Sequence, residues 1–325
     1  MNVLYILGNG FDKALGMATS YPEFYRHLID NVKKGSPLLE EMKSTINHNT
    51  LLWSDMEEGL GDFTDQAENF QDFENFYFEL NEHLQEYLKQ EDEKFTPTDK
   101  LKSKSIQDLT AITKYFGALD KLRYNSFVKK YGFSSKDISV ITLNYTNSLE
   151  KICNLNEGVT TKSLGNNTNL QNIIHVHGRL KNSIIVGVDD ESQIKNEQFR
   201  NNDDIRDFMI KMQSNQVMKE TRHLDCEKLI ANAHIIILFG VSLGNTDAHW
   251  WKLIGENLVN RMNLMIVQHL YCPDAILPTQ MQKRGRLERL QQQTLMQKMR
   301  IKEEDWSEDI RDRIIFTVNE PLCKI

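Results

Sequence analysis

The sequence holds only four cysteines, Cys153, Cys226, Cys272 and Cys323, and none lies in a CxxC pair. A structural zinc ribbon needs closely spaced thiolates, so none is expected. Positive charge is also short: 39 Lys and Arg stand against 46 Asp and Glu, a formal net charge of -7. Such a surface has no overall attraction for phosphate backbones, and nucleic-acid binding is not expected without a local basic patch. Lys100, Lys102 and Lys104 are interrupted and stand near Glu91, Asp92 and Glu93, so they read as a solvated loop between helices. Long apolar runs are missing too. The strongest, 235–239 with its flanks, falls far below the ~20 residues that cross a bilayer. No basic stretch precedes the apolar run 3–7, which Gly8 and Gly10 cut short, so it reads as a strand and not a secretion signal. A cytoplasmic protein with reduced cysteines and no membrane partner is the expectation.

What is present is a globular composition. Hydrophobic residues at 40% and charged residues at 26% exclude disorder, collagen and a repeat array as the main architecture. A length of 325 residues favours a core with an appended or inserted module. Short apolar, β-rich runs occur at 3–7, 138–143, 173–176, 184–188, 234–239, 264–271 and 313–318. Continuous runs imply strands covered on both faces, and their alternation with helix-length segments predicts a Rossmann-like α/β fold, a mostly parallel sheet with helices on both faces. From 31 to 130 strand runs vanish and apolar residues recur at helical spacing, as at Phe73, Phe76, Leu80, Leu84 and Tyr87. The predicted organisation is therefore a nucleotide-binding core of residues 1–30 plus 131–325, with an inserted helical subdomain at 31–130. A further helix is expected at 281–302, closing against the final strand.

Four polar or glycine-bearing segments each follow an apolar run. Gly8-Asn9-Gly10-Phe11-Asp12 allows a tight turn and close approach to a phosphate on a helix N-terminus, or else simply joins strand to helix with Asp12 as its N-cap. Asn144, in Asn144-Tyr145-Thr146, stands where a carboxamide meets a substrate or caps the next helix. His175 and His177, two apart, fall on the same face of one strand before Gly178. No acidic or cysteine cluster completes a metal site, so His177 is the candidate general base. Gly240, Ser242 and Asp247 follow the most apolar run. Asp247 is suited to ribose hydroxyls or to capping the helix that carries Trp250 and Trp251, which read as core or interface residues. Together the four segments fit one shared site at a sheet edge.

On these residues the chain resembles the AbiH-type phage abortive-infection family. The resemblance is carried by Gly-Asn-Gly-Phe-Asp at 8–12 with Gly16, Thr19, Tyr21 and Phe24, Trp53 with Glu57, Asn144-Tyr145-Thr146 leading to Glu150, His175-x-His177-Gly178, and Ser242-Leu243-Gly244-x-Thr246-Asp247. At greater distance the same landmarks resemble the sirtuin-like NAD-consuming fold. The CxxC zinc module of sirtuins has no counterpart here, so protein deacetylation is not implied. Asp12 takes the place of a small residue in the phosphate loop, and Thr146 that of an acid.

The resemblance implies a phage-defence effector that hydrolyses the N-glycosidic bond of NAD, taken as substrate, with no metal. Asn144 and His177 would be catalytic, while Gly8, Asn9, Gly10, Phe11, Asp12, Gly240, Ser242 and Asp247 would hold the nucleotide. The alternative is a nucleotide-binding sensor or scaffold without catalysis, engaging a phage or host protein through the helical insertion, with homo-oligomerisation left open.

Overall fold

The computed structural model describes residues 1–48, 52–133, 135–156, 159, 161–165, 167–272, 282–320 and 323. Its centre is one seven-stranded sheet: β1 (Asn2–Leu7), β2 (Lys136–Thr142), β3 (Lys162–Gly165), β4 (Thr168–His175), β5 (Ile235–Phe239), β6 (Met265–Leu270) and β7 (Ile314–Val318), in the order β3-β4-β2-β1-β5-β6-β7. Every neighbouring pair is parallel except the β3–β4 hairpin at one edge. Parallel strands need crossovers, and helices supply them on both faces.

The continuous apolar runs are explained by that double cover. On β1, Val3, Tyr5 and Leu7 face one core with Ile138, Ile237 and Val267, under Leu109, Phe116 and Phe127. Leu4 and Ile6 face the other with Ile236, Leu238 and Ile266, against Ile230, Trp251, Ile254 and Leu295. Trp250 and Trp251 are therefore core residues, and Trp251 Nε1 also donates to Gly244 O at 2.9 Å. A third core joins helices Tyr21–Asn31, Pro37–His48, Met56–Phe63 and Phe70–Lys94 to residues around 180–210. Between 31 and 130 the described residues hold helices and no strand. Among the described residues, no helix is long and apolar enough to cross a membrane.

Several expectations need correction. The run 184–188 forms no strand of the sheet. It makes only isolated bridges at its ends and sinks into the third core, where hydroxyls satisfy its carbonyls. Tyr145 Oη donates to Ile185 O at 3.0 Å and Tyr77 Oη to Val186 O at 2.6 Å. Lys100, Lys102 and Lys104 lie within the helix Asp99–Thr110, Lys104 reaching Asp108 at 2.6 Å, and not in a loop. The helix expected at 281–302 runs over Arg284–Lys298, and Met281 lies outside the described residues. β3 was not expected: it is four residues long, polar and at the edge, so it carries no apolar run.

Candidate functional site

After β1 the chain crosses to β2 on one side, while β5 opens the other half of the sheet, so the strand order reverses between β1 and β5. Loops leaving the carboxyl ends of two such strands diverge and leave a crevice. A cavity of about 830 Å³ lies there, lined among others by Gly8, Asn9, Gly10, Asp12, Asn144, His177, Gly240, Ser242 and Asp247. Residues that lie far apart in the sequence thus meet at one place. Phe11 is separate: it is buried in the core, edge-on to Phe239 at 5.9 Å, and does not line the cavity.

The glycines of this floor answer to each other. Gly10 N donates to Gly240 O at 2.9 Å and Gly8 N to Phe239 O at 3.0 Å. A Cβ on Gly10 would stand 2.4 Å from Gly240 Cα, and Gly240 itself has φ +69°. Phe11 N donates to Gly8 O at 2.9 Å, so three N–H groups of this turn are already engaged by backbone carbonyls. Asn9 is fixed through Thr19, whose Oγ1 donates to Asn9 Oδ1 at 2.5 Å.

Asp12 does not cap the following helix. Gly8 holds the N-cap position of Asn9–Ala14, and Asp12 lies inside the helix, buried. Thr146 Oγ1 donates to its Oδ2 at 2.6 Å and Ser148 Oγ to its Oδ1 at 2.5 Å. Burial pushes this carboxyl up to about 6 against those hydrogen bonds, with Asp92 adding to the rise. Thr146 therefore serves Asp12. Nor is Asn144 a cap: its Nδ2 donates to Gly8 O at 3.1 Å, tying the end of β2 to the end of β1.

The two histidines separate at the end of β4. His175 Nδ1 meets Asn144 O at 2.9 Å, and its Nε2 meets Glu150 Oε1 at 2.9 Å, where Arg179 also binds. Glu150 is half-buried, and against that desolvation His175 and Arg179 hold it below the ordinary carboxylate range. His177, two residues past the strand, lines the cavity with Nε2 at 2.9 Å from Asp247 Oδ1. Because a carboxylate only accepts, Nε2 carries the proton and the lone pair sits on Nδ1. That Nδ1 is buried without a hydrogen-bond partner. Burial, with Lys211 second, lowers the basicity of the ring, so it is neutral near pH 7.

The centre of this wall is Lys211, at the start of the helix Lys211–Val217. Its Nζ donates to Glu57 Oε2 at 2.7 Å, Thr246 O at 2.9 Å and Asp247 Oδ1 at 3.0 Å, all buried. Glu57 and Asp247 thereby share one cation, and their proton affinities diverge. Burial raises Glu57, with Asp247 and Asp55 opposing its ionisation, whereas the pull of Lys211 and His177 on Asp247 exceeds its burial cost and lowers it. Asp55, also in the cavity wall, caps the helix Met56–Phe63 by accepting from Glu57 N at 3.0 Å. Asp247 occupies the N-cap position of Ala248–Asn260 but makes no capping bond, because its carboxylate is spent on His177 and Lys211.

Lys211 was missed from sequence because nothing around it marks it as buried. Its significance comes from Glu57 and Asp247, both distant along the chain. Glu57 came in only through the family resemblance, and Asp55 carries no more than the signature of a helix cap. Among the described residues, no three His, Cys, Asp or Glu side chains stand together as a metal-holding group.

Residues 4–268 match the family described as bacteriophage abortive infection AbiH. The chain belongs to this family. The match spans most of the sheet and every cavity residue considered so far. No curated protein matches the chain in a sequence comparison.

Proposed function

We propose that this AbiH-family protein is a phage-defence effector that hydrolyses the N-glycosidic bond of NAD or a related nucleotide on a Rossmann-like, sirtuin-like core. The observation that carries the reading is the cavity between β1 and β5, where Asn144, His177 and the Glu57–Lys211–Asp247 cluster converge. Its size suits a nucleotide.

Cleavage of this bond breaks C1′–N as water supplies the new C1′–O bond. Nicotinamide departs neutral with the electron pair, the ribose passes through an oxocarbenium-like state, and the proton of the water must go to a base. Asp55, Glu57 and Asp247 face the cavity against one buried lysine, and such an acidic wall stabilises developing positive charge. His177, neutral and held through Nε2 by Asp247, has Nδ1 as the acceptor for the proton of water. Asn144 orients the water or a ribose hydroxyl, while Ser242, with Gly8, Gly10 and Gly240 forming the floor, meets the phosphates. The test is incubation of purified protein with NAD while nicotinamide release is followed. Release that disappears in His177→Ala is expected.

One observation favours a second reading. The N–H groups of Gly8, Gly10 and Phe11 are engaged internally, and Lys211 is fully paired, which suits a site that binds without turnover. A nucleotide sensor engaging a phage or host protein through the helices of 31–130 would bind NAD and release no nicotinamide.

A further inference from the structure

The cavity continues beyond the acidic wall, over the carboxyl ends of β5 and β6, where Phe239, Gln268, His269, Tyr271 and Gln291 line it. β6 lies four strands from β4, so at ~4.8 Å per strand the two ends stand about 19 Å apart along the sheet edge. The chemistry changes over that distance. Gln268, on β6, is only 3% exposed, and its Oε1 accepts from Gln291 Nε2 at 3.2 Å. Gln291 comes from the helix Arg284–Lys298 and holds the Gln268 carboxamide in one orientation. Gln268 Nε2 makes no hydrogen bond with the described residues. Beside it, His269 binds Thr317 Oγ1 and stands edge-on to Phe239, and burial keeps its ring neutral, down to about 4. This end is amide-bearing, and among the described residues Glu320 is the one carboxyl that lines it.

We propose that this end is a base-recognition subsite in which the Gln268 carboxamide reads an adenine. The inference deepens the nucleotide reading above and rests on it. An oriented carboxamide offers a donor and an acceptor side by side. That pair matches the ring nitrogen and the exocyclic amine of adenine, while a 6-oxo purine places an acceptor against the amide oxygen. One lone pair of Gln268 Oε1 serves Gln291, and the second is available for the amine. With Oε1 held by Gln291 and Nε2 bound to no described residue, the amide keeps a donor for a ligand in the cavity that it lines. With ribose chemistry at the acidic end, the substrate is a dinucleotide with adenine as its distal base.

The experiment is equilibrium titration of the full chain with AMP and with IMP, whose bases differ in the 6-amino or 6-oxo group and in the N1–H that the 6-oxo form carries. AMP is expected to bind at least tenfold more tightly, and Gln268→Leu to weaken AMP roughly ten- to hundredfold and abolish the preference. Should Gln268→Leu fail to fold, Gln291→Leu removes only the orienting bond and is expected to narrow the AMP–IMP gap several-fold. Equal binding of AMP and IMP, no binding of AMP, or an unchanged gap in the folded variants overturns the subsite. Because none of these measurements requires cleavage, AMP discrimination without nicotinamide release would retain the subsite and remove the hydrolase.

Discussion

Asp12 concentrates the physical chemistry of the site in one side chain. A carboxyl held at about 6 by burial favours the protonated form in the folded state, relative to an ordinary value near 3.8. Its folded pKa is raised, so its contribution to stability is complete below about pH 4 and is lost as pH rises through about 6. Two pH units at ~1.4 kcal/mol each make that loss about 3 kcal/mol. The stability difference between Asp12→Asn and the wild type, from urea denaturation, is therefore expected to grow in favour of the variant between pH 4 and pH 8. A pH-independent difference would show that Asp12 ionises freely. The histidines carry a contrasting pair of outcomes. His177→Ala is expected to lower turnover ~10²–10⁴-fold with folding largely kept, because it removes the proposed base. His175→Ala strips one of the two partners of half-buried Glu150, leaving Arg179, and is expected to cost about 1–3 kcal/mol of stability, with turnover per folded molecule retained. Reversed signatures would exchange the two roles.

At the scale of elements, what counts is which segments are pinned to which. The interlock of the Gly8–Gly10 turn with Gly240 leaves no room for a side chain, so Gly10→Ala must push two backbones apart and is expected to cost about 1–3 kcal/mol. Lys211 joins three segments: the helix that Asp55 caps, the one-turn segment Asn245–Asp247 and its own helix. Lys211→Met would leave two carboxylates buried against each other and is expected to lose about 3–5 kcal/mol, lessened at low pH as Glu57 takes a proton. Denaturant midpoints at pH 5 and pH 8 measure both effects. The strands of this sheet were legible because cover on both faces makes them uniformly apolar. The run 184–188 looked the same for a different reason: its carbonyls are satisfied by Tyr77 and Tyr145, which no local pattern reveals. The loop residues at strand ends were legible as a set, since a parallel sheet brings its carboxyl ends together. The charge pairing of Lys211 was not, because burial of a cation depends on partners from elsewhere in the chain.

For the whole molecule, the position of β1 decides the order of assembly. It is an inner strand with β2 on one side and β5 on the other, and both of its faces are buried. Amides of β1 are therefore expected to exchange with solvent hydrogen only through global unfolding, while those of the edge strand β3 exchange by local opening. Comparable protection in the two strands would contradict this ranking. The first segment of the sheet to leave the ribosome is thus the one that must wait longest for neighbours. At ~5–20 residues per second, β5 and Asp247 follow Gly8 after on the order of 10–50 s of translation. Throughout that interval the glycine floor has no Gly240 to lock against, and His177 has no carboxylate to orient it. A nascent or prematurely terminated chain thus carries no finished pocket. For an effector whose proposed action would injure its own host, this topology makes completion of synthesis a safeguard against damage from fragments.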